Sequence, residues 1–196
     1  MNKNGFTLVE MLIALAIFGM ITAAGVALLT LTVRTQATSD RLLDALGALR
    51  RTGALLNADL AQAAPRRWRD ADGEPHPAFT GSNMASADGA LLTLVRRGAD
   101  DADGARDPVR RVDYRLANGV LERRSYGAVD GDPPVVTAAL LDGVRTARLR
   151  YRDRRGDWHA TWEPTDTAEL PAAVELVVDS AGEGVVRQLF LVGSPR

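Results

Sequence analysis

The sequence predicts an α+β fold: a long N-terminal helix packed on an antiparallel β-sheet domain. Three observations predict it. Residues 11–33 are apolar and uncharged, a helical stripe of apolar residues follows them, and apolar residues alternate with polar ones from Leu91 onward. Because the helical patterns precede the strand patterns as a block, the strands are expected to form an antiparallel sheet. The first half of the helix is predicted to span a membrane and the second half to be amphipathic.

The membrane-spanning segment is predicted at residues 6–33. Roughly 20 apolar residues suffice to cross a bilayer, and no charged residue lies between Glu10 and Arg34. An acidic side chain at the edge of such a segment is costly, which makes Glu10 a functional candidate that needs a partner. The leading hypothesis is the α-amine that a cut between Gly5 and Phe6 would release. The alternative is the helix's own N-terminus, whose dipole also favours an anion.

Two simpler interpretations of the N-terminus remain open at this point. One is an ordinary secretory signal peptide, with Lys3 as its basic region and cleavage after Ala24. Glu10 would then interrupt the start of the hydrophobic region, and the apolar run does not stop at Ala24 but continues to Val33. The other is a plain single-span anchor, which fits the length but leaves Glu10 unexplained.

Residues 34–64 are predicted to continue the helix as an amphipathic segment. Apolar or small residues recur at spacings of four and three along one stripe: Leu42, Leu46, Leu49, Gly53, Leu56, Leu60 and Ala63. The charged residues of the segment fall off this stripe: Arg41, Asp44, Arg50, Arg51 and Asp59. The helix is expected to end at Ala64, since a residue before proline avoids the α region. The Gly and the Ala in the stripe favour packing on a sheet over a coiled coil.

Residues 65–196 are predicted to form the β-rich domain. Residues 66–88 indicate a loop, and a hairpin is expected at Asn118-Gly119, where both residues must accept positive φ. Residues 147–152 alternate apolar residues with arginines, which predicts a strand with one wet face. Trp158 and Trp162 are expected to share one face of the next strand and to fill the core. Val174, Leu176 and Val178 predict a further strand, and the apolar run 185–192 predicts a central one.

Composition and motifs argue against catalysis, metal binding and cofactors. The net charge is −1, which gives no electrostatic basis for nucleic-acid binding, and there is no cysteine for thiol chemistry. His76 and His159 have no spacing partners for a metal site and are expected to be surface or packing residues. Residues 100–104 resemble the start of a calcium loop but lack its bidentate glutamate, so a solvated turn is expected. Trp68, amid arginines, is the candidate for an interface.

The N-terminus resembles the signal of the type IV pilin-like family. The match consists of a short leader ending in Gly5, then Phe6-Thr7-Leu8-Val9-Glu10 and an apolar run. The resemblance implies that a prepilin peptidase removes residues 1–5, that Phe6 becomes N-methylated, and that Glu10 acts in assembly. It also implies a pilin-like fold, with the second half of the helix docked on the β-domain.

Later segments are similar to the J-type minor pseudopilins of type II secretion systems: residues 55–60, 69–75, 140–144, 148–151, 156–159, 170–176 and 187–191. This resemblance implies a structural subunit of the pseudopilus tip that helps to initiate assembly for the export of folded proteins across the outer membrane. Its expected partners are the I-, K- and H-type minor pseudopilins, and its expected place is the bacterial inner membrane, single-pass, with the C-terminal domain in the periplasm. Glu10 argues against the K type, whose members lack this residue.

Two other functions remain as alternatives. One is a minor pilin of a type IV pilus or of a DNA-uptake system, which would share the N-terminal signal. The other, of a different class, is a membrane-anchored periplasmic enzyme or binding domain.

Overall fold

The computed structural model describes residues 7–83, 90–98, 109–131, 133–181 and 184–193, and for helical residues 32–35, 37–39 and 41 the backbone alone. The chain divides into two units, Met1–Asp44 and Ala45–Arg196. One helix, α1 (Leu8–Ala61), contributes to both units, and the strands of the second unit pair antiparallel throughout. The predicted α+β fold is confirmed.

The first unit is helical and apolar. Its stretch Leu8–Leu31 has a mean hydropathy of 2.5, and none of it is buried. By length and composition this stretch is able to cross a membrane. A helix that exposes aliphatic side chains on all sides is stable only where lipid or other helices cover it.

The described residues of the second unit form three antiparallel sheets. The first has the order β10-β3-β4-β5-β6-β7, the second β12-β11-β8-β9, and β1 pairs with β2 as a small hairpin. The strand bounds are β1 Trp68–Arg69, β2 Pro75–His76, β3 Phe79–Ser82, β4 Ala90–Arg97, β5 Val109–Ala117, β6 Val120–Tyr126, β7 Pro134–Leu141, β8 Val144–Arg152, β9 Trp158–His159, β10 Thr161–Trp162, β11 Ala173–Ser180 and β12 Gly184–Leu191.

The main core lies where the end of α1 meets the inner faces of the two larger sheets. Leu56 and Leu60 of α1 belong to one buried cluster with Leu94 of the first sheet and with Tyr151 and Leu176 of the second. The predicted stripe thus packs on sheets at its C-terminal end, where burial of apolar area drives docking. Its first members do not, since Leu42 is 54% exposed and Leu46 is 38% exposed.

Two local sequence signals are confirmed. Asn118 and Gly119 form the turn between β5 and β6 with φ angles of 52° and 75°, the positive values that a tight hairpin requires. Along β8, Ala147, Leu149 and Tyr151 are buried while the arginines between them are exposed.

The helix ends at Ala61 rather than at the predicted Ala64. The backbone after it leaves the helix to pair with the end of β4, beyond the part that β3 covers. The Ala64 N–H donates to the Val95 carbonyl at 2.8 Å, and the Arg97 N–H donates to the Gln62 carbonyl at 2.9 Å. Hydrogen bonds to a strand therefore replace the last helical turn that the proline rule allowed.

Three strand predictions are wrong. Residues 68–82, predicted as part of a loop, contain β1, β2 and β3. Trp158 and Trp162 lie on two short strands, β9 and β10, that belong to different sheets, so only Trp162 is buried and Trp158 is 37% exposed. The run 185–192 forms β12, an edge strand, because β11 takes the central place between β8 and β12.

Candidate assembly site

The first turn of α1 carries a capping box formed by Thr7 and Glu10. The Thr7 N–H and the Thr7 hydroxyl both donate to Glu10 Oε2 at 3.1 Å, and the Glu10 N–H donates back to Thr7 Oγ1 at 3.3 Å. This reciprocal pattern satisfies two backbone donors that a helix N-terminus otherwise leaves open. The role of Thr7 was missed from the sequence, although the spacing Thr-x-x-Glu before an apolar run is its signal.

The carboxylate of Glu10 keeps one oxygen for another partner. Both bonds from Thr7 go to Oε2, and no other residue described by the structure donates to Oε1. Glu10 can therefore cap its own helix through Oε2 and still accept a hydrogen bond from a cation of another chain through Oε1. Gly5 and Phe6, the predicted cleavage and methylation positions, lie outside the described residues, and their roles stay predictions.

The stretch of α1 from Met11 to Leu31 exposes only groups that lipid tolerates. The side chains from Leu8 to Leu31 are exposed, with Phe18 at 68% and Leu15 at 67%. The two threonine hydroxyls in the span donate to backbone carbonyls one turn earlier, Thr22 to Phe18 and Thr30 to Val26, each at 2.8 Å. Internally satisfied hydroxyls are compatible with a hydrocarbon environment.

A second carboxylate of α1, that of Asp59, is buried and fully paired. Its side chain is 1% exposed. Arg123 of β6 donates to Oδ2 at 2.7 Å, Arg96 of β4 donates to Oδ1 at 2.9 Å, and the Tyr114 hydroxyl of β5 donates to Oδ2 at 2.6 Å. These bonds fix the end of the helix to three neighbouring strands of the first sheet.

Burial and the nearby Asp59 carboxylate raise the pKa of Tyr114 far above its usual range, so the phenol remains a donor to that carboxylate. The expectation that Asp59 lies off the packed stripe is wrong. Its position three residues after the buried Leu56 places it on the same face of the helix, and that spacing was the available signal.

The two histidines each lie within hydrogen-bonding distance of a nearby aspartate. His76 Nε2 lies 2.9 Å from Asp70 Oδ2, and His159 Nε2 lies 3.0 Å from Asp153 Oδ2. Among the residues the structure describes, no three His, Cys, Asp or Glu side chains are grouped to hold a metal ion. The calcium-like residues 100–104 lie outside the described part.

Trp68 is half-buried against a small apolar cluster formed by Ala64, Val95, Val109 and Val129. The Arg111 guanidinium lies 4.1 Å from the centre of its ring, and the His76 ring stacks on it at 4.3 Å. The interface role of Trp68 stays a prediction.

Two family models match the chain and together span almost all of it. The model described as "Type II secretion system (T2SS), protein J" matches residues 27–192. The model described as "Prokaryotic N-terminal methylation motif" matches residues 1–26. The boundary between the two falls inside the apolar part of α1.

Relatives and solved structures agree with this assignment. The chain is 34% identical to the type II secretion system protein J of Klebsiella pneumoniae, over 97% of this chain and 96% of that protein. It is 29% identical to the protein J of Vibrio cholerae, over 98% of this chain and 88% of that one. It is also similar to a chain in the crystal structure of the GspK-GspI-GspJ complex from enterotoxigenic Escherichia coli, with a TM-score of 0.67, 25% identity, and coverage of 77% and 99%. The chain belongs to the type II secretion system protein J family and is a minor pseudopilin of that system.

Proposed function

We propose that the chain is cleaved between Gly5 and Phe6, N-methylated at Phe6 by the prepilin peptidase, and anchored in the inner membrane by residues 6–33. The helix then continues to Ala61 as its amphipathic part, and residues 65–196 form the periplasmic domain. The match of the N-terminal methylation motif over residues 1–26 and the exposed apolar helix both support this division.

The mature protein joins the I- and K-type pseudopilins, with the H type as a further partner, in a complex at the tip of the pseudopilus. The likeness to a chain of the GspK-GspI-GspJ complex supports these partners. The tip initiates assembly of the pseudopilus for the export of folded proteins across the outer membrane. The protein itself is a building block without catalytic activity. The energy that extends the pseudopilus comes from another component of the secretion system.

The observation that carries the proposal is the arrangement of Glu10. Its Oε2 is held by Thr7, which orients the carboxylate at the first turn of an apolar helix. Its Oε1 is open to the ammonium of Phe6 of a neighbouring subunit. Such a contact is strong at low dielectric and depends on position, so it sets the register of the helices in the bilayer.

Two variants separate the cap from the ion pair. Glu10→Gln keeps a capping-box residue but removes the charge, whereas Thr7→Ala removes the cap and keeps the charge. The full chain is expressed with its I- and K-type pseudopilins, the membranes are solubilised in mild detergent, and the recovered partners are quantified. Glu10→Gln is expected to lower recovery by about tenfold or more, since it unpairs a buried ammonium. Thr7→Ala is expected to lower recovery less than Glu10→Gln does, since the charge stays although the hydroxyl that orients it is lost.

Normal recovery for Glu10→Gln would contradict the contact between subunits, since it would leave Glu10 as a capping residue alone. Loss of recovery for Thr7→Ala with normal recovery for Glu10→Gln would assign the effect to the helix terminus. Cleavage of each variant is followed by the size of the mature chain, so that a defect in processing is not mistaken for a defect in assembly.

A further inference from the structure

The outward face of the second sheet is unusually rich in arginine and leucine. On β8, every second residue points away from the core: Arg148, Arg150 and Arg152. Across β11, the outward positions of the edge strand β12 are Val185, Arg187, Leu189 and Leu191. The register joins these strands in rows, with Glu175 of β11 opposite both Arg150 and Leu189. We call these residues, with Trp158, the outer face.

The outer face carries excess positive charge. Its central acid, Glu175, has a side chain that is only 8% exposed, because Arg150 lies 2.6 Å from one of its oxygens and Arg187 lies 3.4 Å from the other. Asp179, farther along β11, pairs with Arg145. Arg148 and Arg152 have no carboxylate partner in the part of the chain that the structure describes. A chain with a net charge of −1 thus concentrates cations on one side of one sheet.

The outer face is also apolar where a solvated face would be polar. Val185 is 71% exposed, Leu189 is 60% exposed and Leu191 is 69% exposed. In a strand with one face in water, the outward residues are normally polar. Adjacent exposed aliphatic side chains are typical of protein-binding surfaces. Trp158 lies on β9 at the opposite edge of this sheet, opposite Arg152 of β8, and the Arg150 guanidinium is 5.0 Å from its ring centre. Tryptophan and arginine are the residues enriched at binding hot spots.

We propose that the outer face binds the acidic, partly apolar surface of a neighbouring pseudopilin domain. The inference rests on the proposed function, because it takes its partner from the tip complex. Charge complementarity selects the partner, since two copies of this chain meeting through the same face would oppose arginine to arginine. The exposed aliphatic side chains of β12 supply the desolvated part of the contact, and the arginines of β8 supply its charged border.

Cysteine labelling tests the outer face directly, because the chain has no native cysteine. Single substitutions Arg148→Cys and Leu189→Cys probe the face, and Arg67→Cys and Val135→Cys are exposed controls on β-domain surfaces away from it. The full chain is expressed in membranes with and without its I- and K-type pseudopilins, and the rate of reaction with a maleimide is measured. The partners are expected to slow labelling at positions 148 and 189 by about tenfold and to leave the controls unchanged.

A charge reversal provides an independent measurement. Arg148→Glu is expected to lower recovery of the partners from detergent extracts by about tenfold, whereas Arg67→Glu, the same change outside the face, is expected to have no effect. Wild-type recovery should fall as salt is raised. The melting temperature of each variant is the control. If it equals that of the wild type, a loss of partner recovery is not caused by unfolding.

The outcomes separate the two proposals. If the wild type recovers its partners while labelling at positions 148 and 189 is unchanged by them, the outer face is not their site and the proposed function stands. If no pseudopilin is recovered by the wild type, both proposals fail. If labelling at the face is slow even without partners, a second copy or the membrane surface covers it, and the proposal is overturned.

Discussion

Two carboxylates of α1, one in the part that packs on the sheets and one in the exposed apolar part, are satisfied differently. Asp59, in the part that packs on the sheets, is buried and receives bonds from two arginines and a tyrosine of its own chain. Glu10, at the start of the exposed part, is bound only by Thr7 within the described residues. Folding of the domain thus supplies every partner of Asp59, whereas Glu10 keeps one oxygen without a donor in the described part of the chain, and we propose that an ammonium of a neighbouring subunit binds there.

The largest expected effect is on the stability of the β-domain. Asp59→Ala leaves two partly buried arginines without their carboxylate, and removing one partner of a buried ion pair lowers the free energy of unfolding by about 3–5 kcal/mol. Urea unfolding followed by tryptophan fluorescence measures this, since Trp162 is buried in the core. The control is Asp44→Ala, an exposed acid of the same helix. Equal stability of the two variants would contradict the role assigned to Asp59.

Core packing gives the next effect. Leu60 is fully buried and Leu15 is 67% exposed, so the same truncation removes packing at one site only. Leu60→Ala is expected to lower the free energy of unfolding of the domain by about 2–5 kcal/mol, through lost burial and the cavity left behind. Leu15→Ala is expected to leave it unchanged. The same urea transition compares the two, and a loss at Leu15 would mean that the exposed part of the helix stabilises the domain.

The threonines of α1 differ in the same way. The hydroxyl of Thr52 is buried and lies 2.9 Å from the Ala48 carbonyl and 3.3 Å from the Leu140 carbonyl at the end of β7. Thr52→Val is expected to lower the free energy of unfolding by about 1 kcal/mol, because a buried hydrogen-bond donor is lost. Thr30→Val, which removes only a bond within the exposed helix, should not shift the urea midpoint. A shift of equal size for both would contradict the assignment of the Thr52 bond to the core.

The smallest expected effect is on the pH dependence of stability, and it comes from Asp153, an acid outside the helix. Hydrogen bonds from His159 and from the Asp157, Gly156 and Arg155 amides lower the pKa of Asp153 to about 2. Since the folded-state pKa is lowered, the stabilisation is complete above the unfolded value of about 3.9 and is lost as the pH falls from about 4 to 2.

Asp153→Asn is therefore expected to flatten the dependence of the melting temperature on pH in that interval, with Glu163→Gln, an exposed control, behaving as the wild type. An unchanged profile for Asp153→Asn would show that this turn does not couple folding to pH.

Local signals predicted more of the fold than of its long-range arrangement. The turn at Asn118-Gly119 and the alternation along β8 depend on neighbours in the chain, and both are confirmed. The edge position of β12 depends on β11 pairing with β8, which no pattern within residues 185–192 records. A continuous apolar run was therefore interpreted as a central strand, although half of its side chains lie on the exposed outer face.

The site shows the same limit. Glu10 was identified because a charge beside an apolar run is conspicuous, and Thr7 was available from its spacing alone. The partners of Asp59 come from three strands, 37 to 64 positions farther along the chain. Sequence spacing could have placed Asp59 on the buried face of the helix. It could not have identified Arg96, Tyr114 and Arg123 as the groups that donate hydrogen bonds to its carboxylate.

We propose that the second partner of Glu10 is an amine created by proteolysis. Mass spectrometry of the N-terminal peptide, from membranes with and without the prepilin peptidase, tests it most directly. The expected mature chain begins with N-methylated Phe6, and only when the peptidase is present. A chain that keeps Met1 in the presence of the peptidase, or one that begins after Ala24, would contradict it.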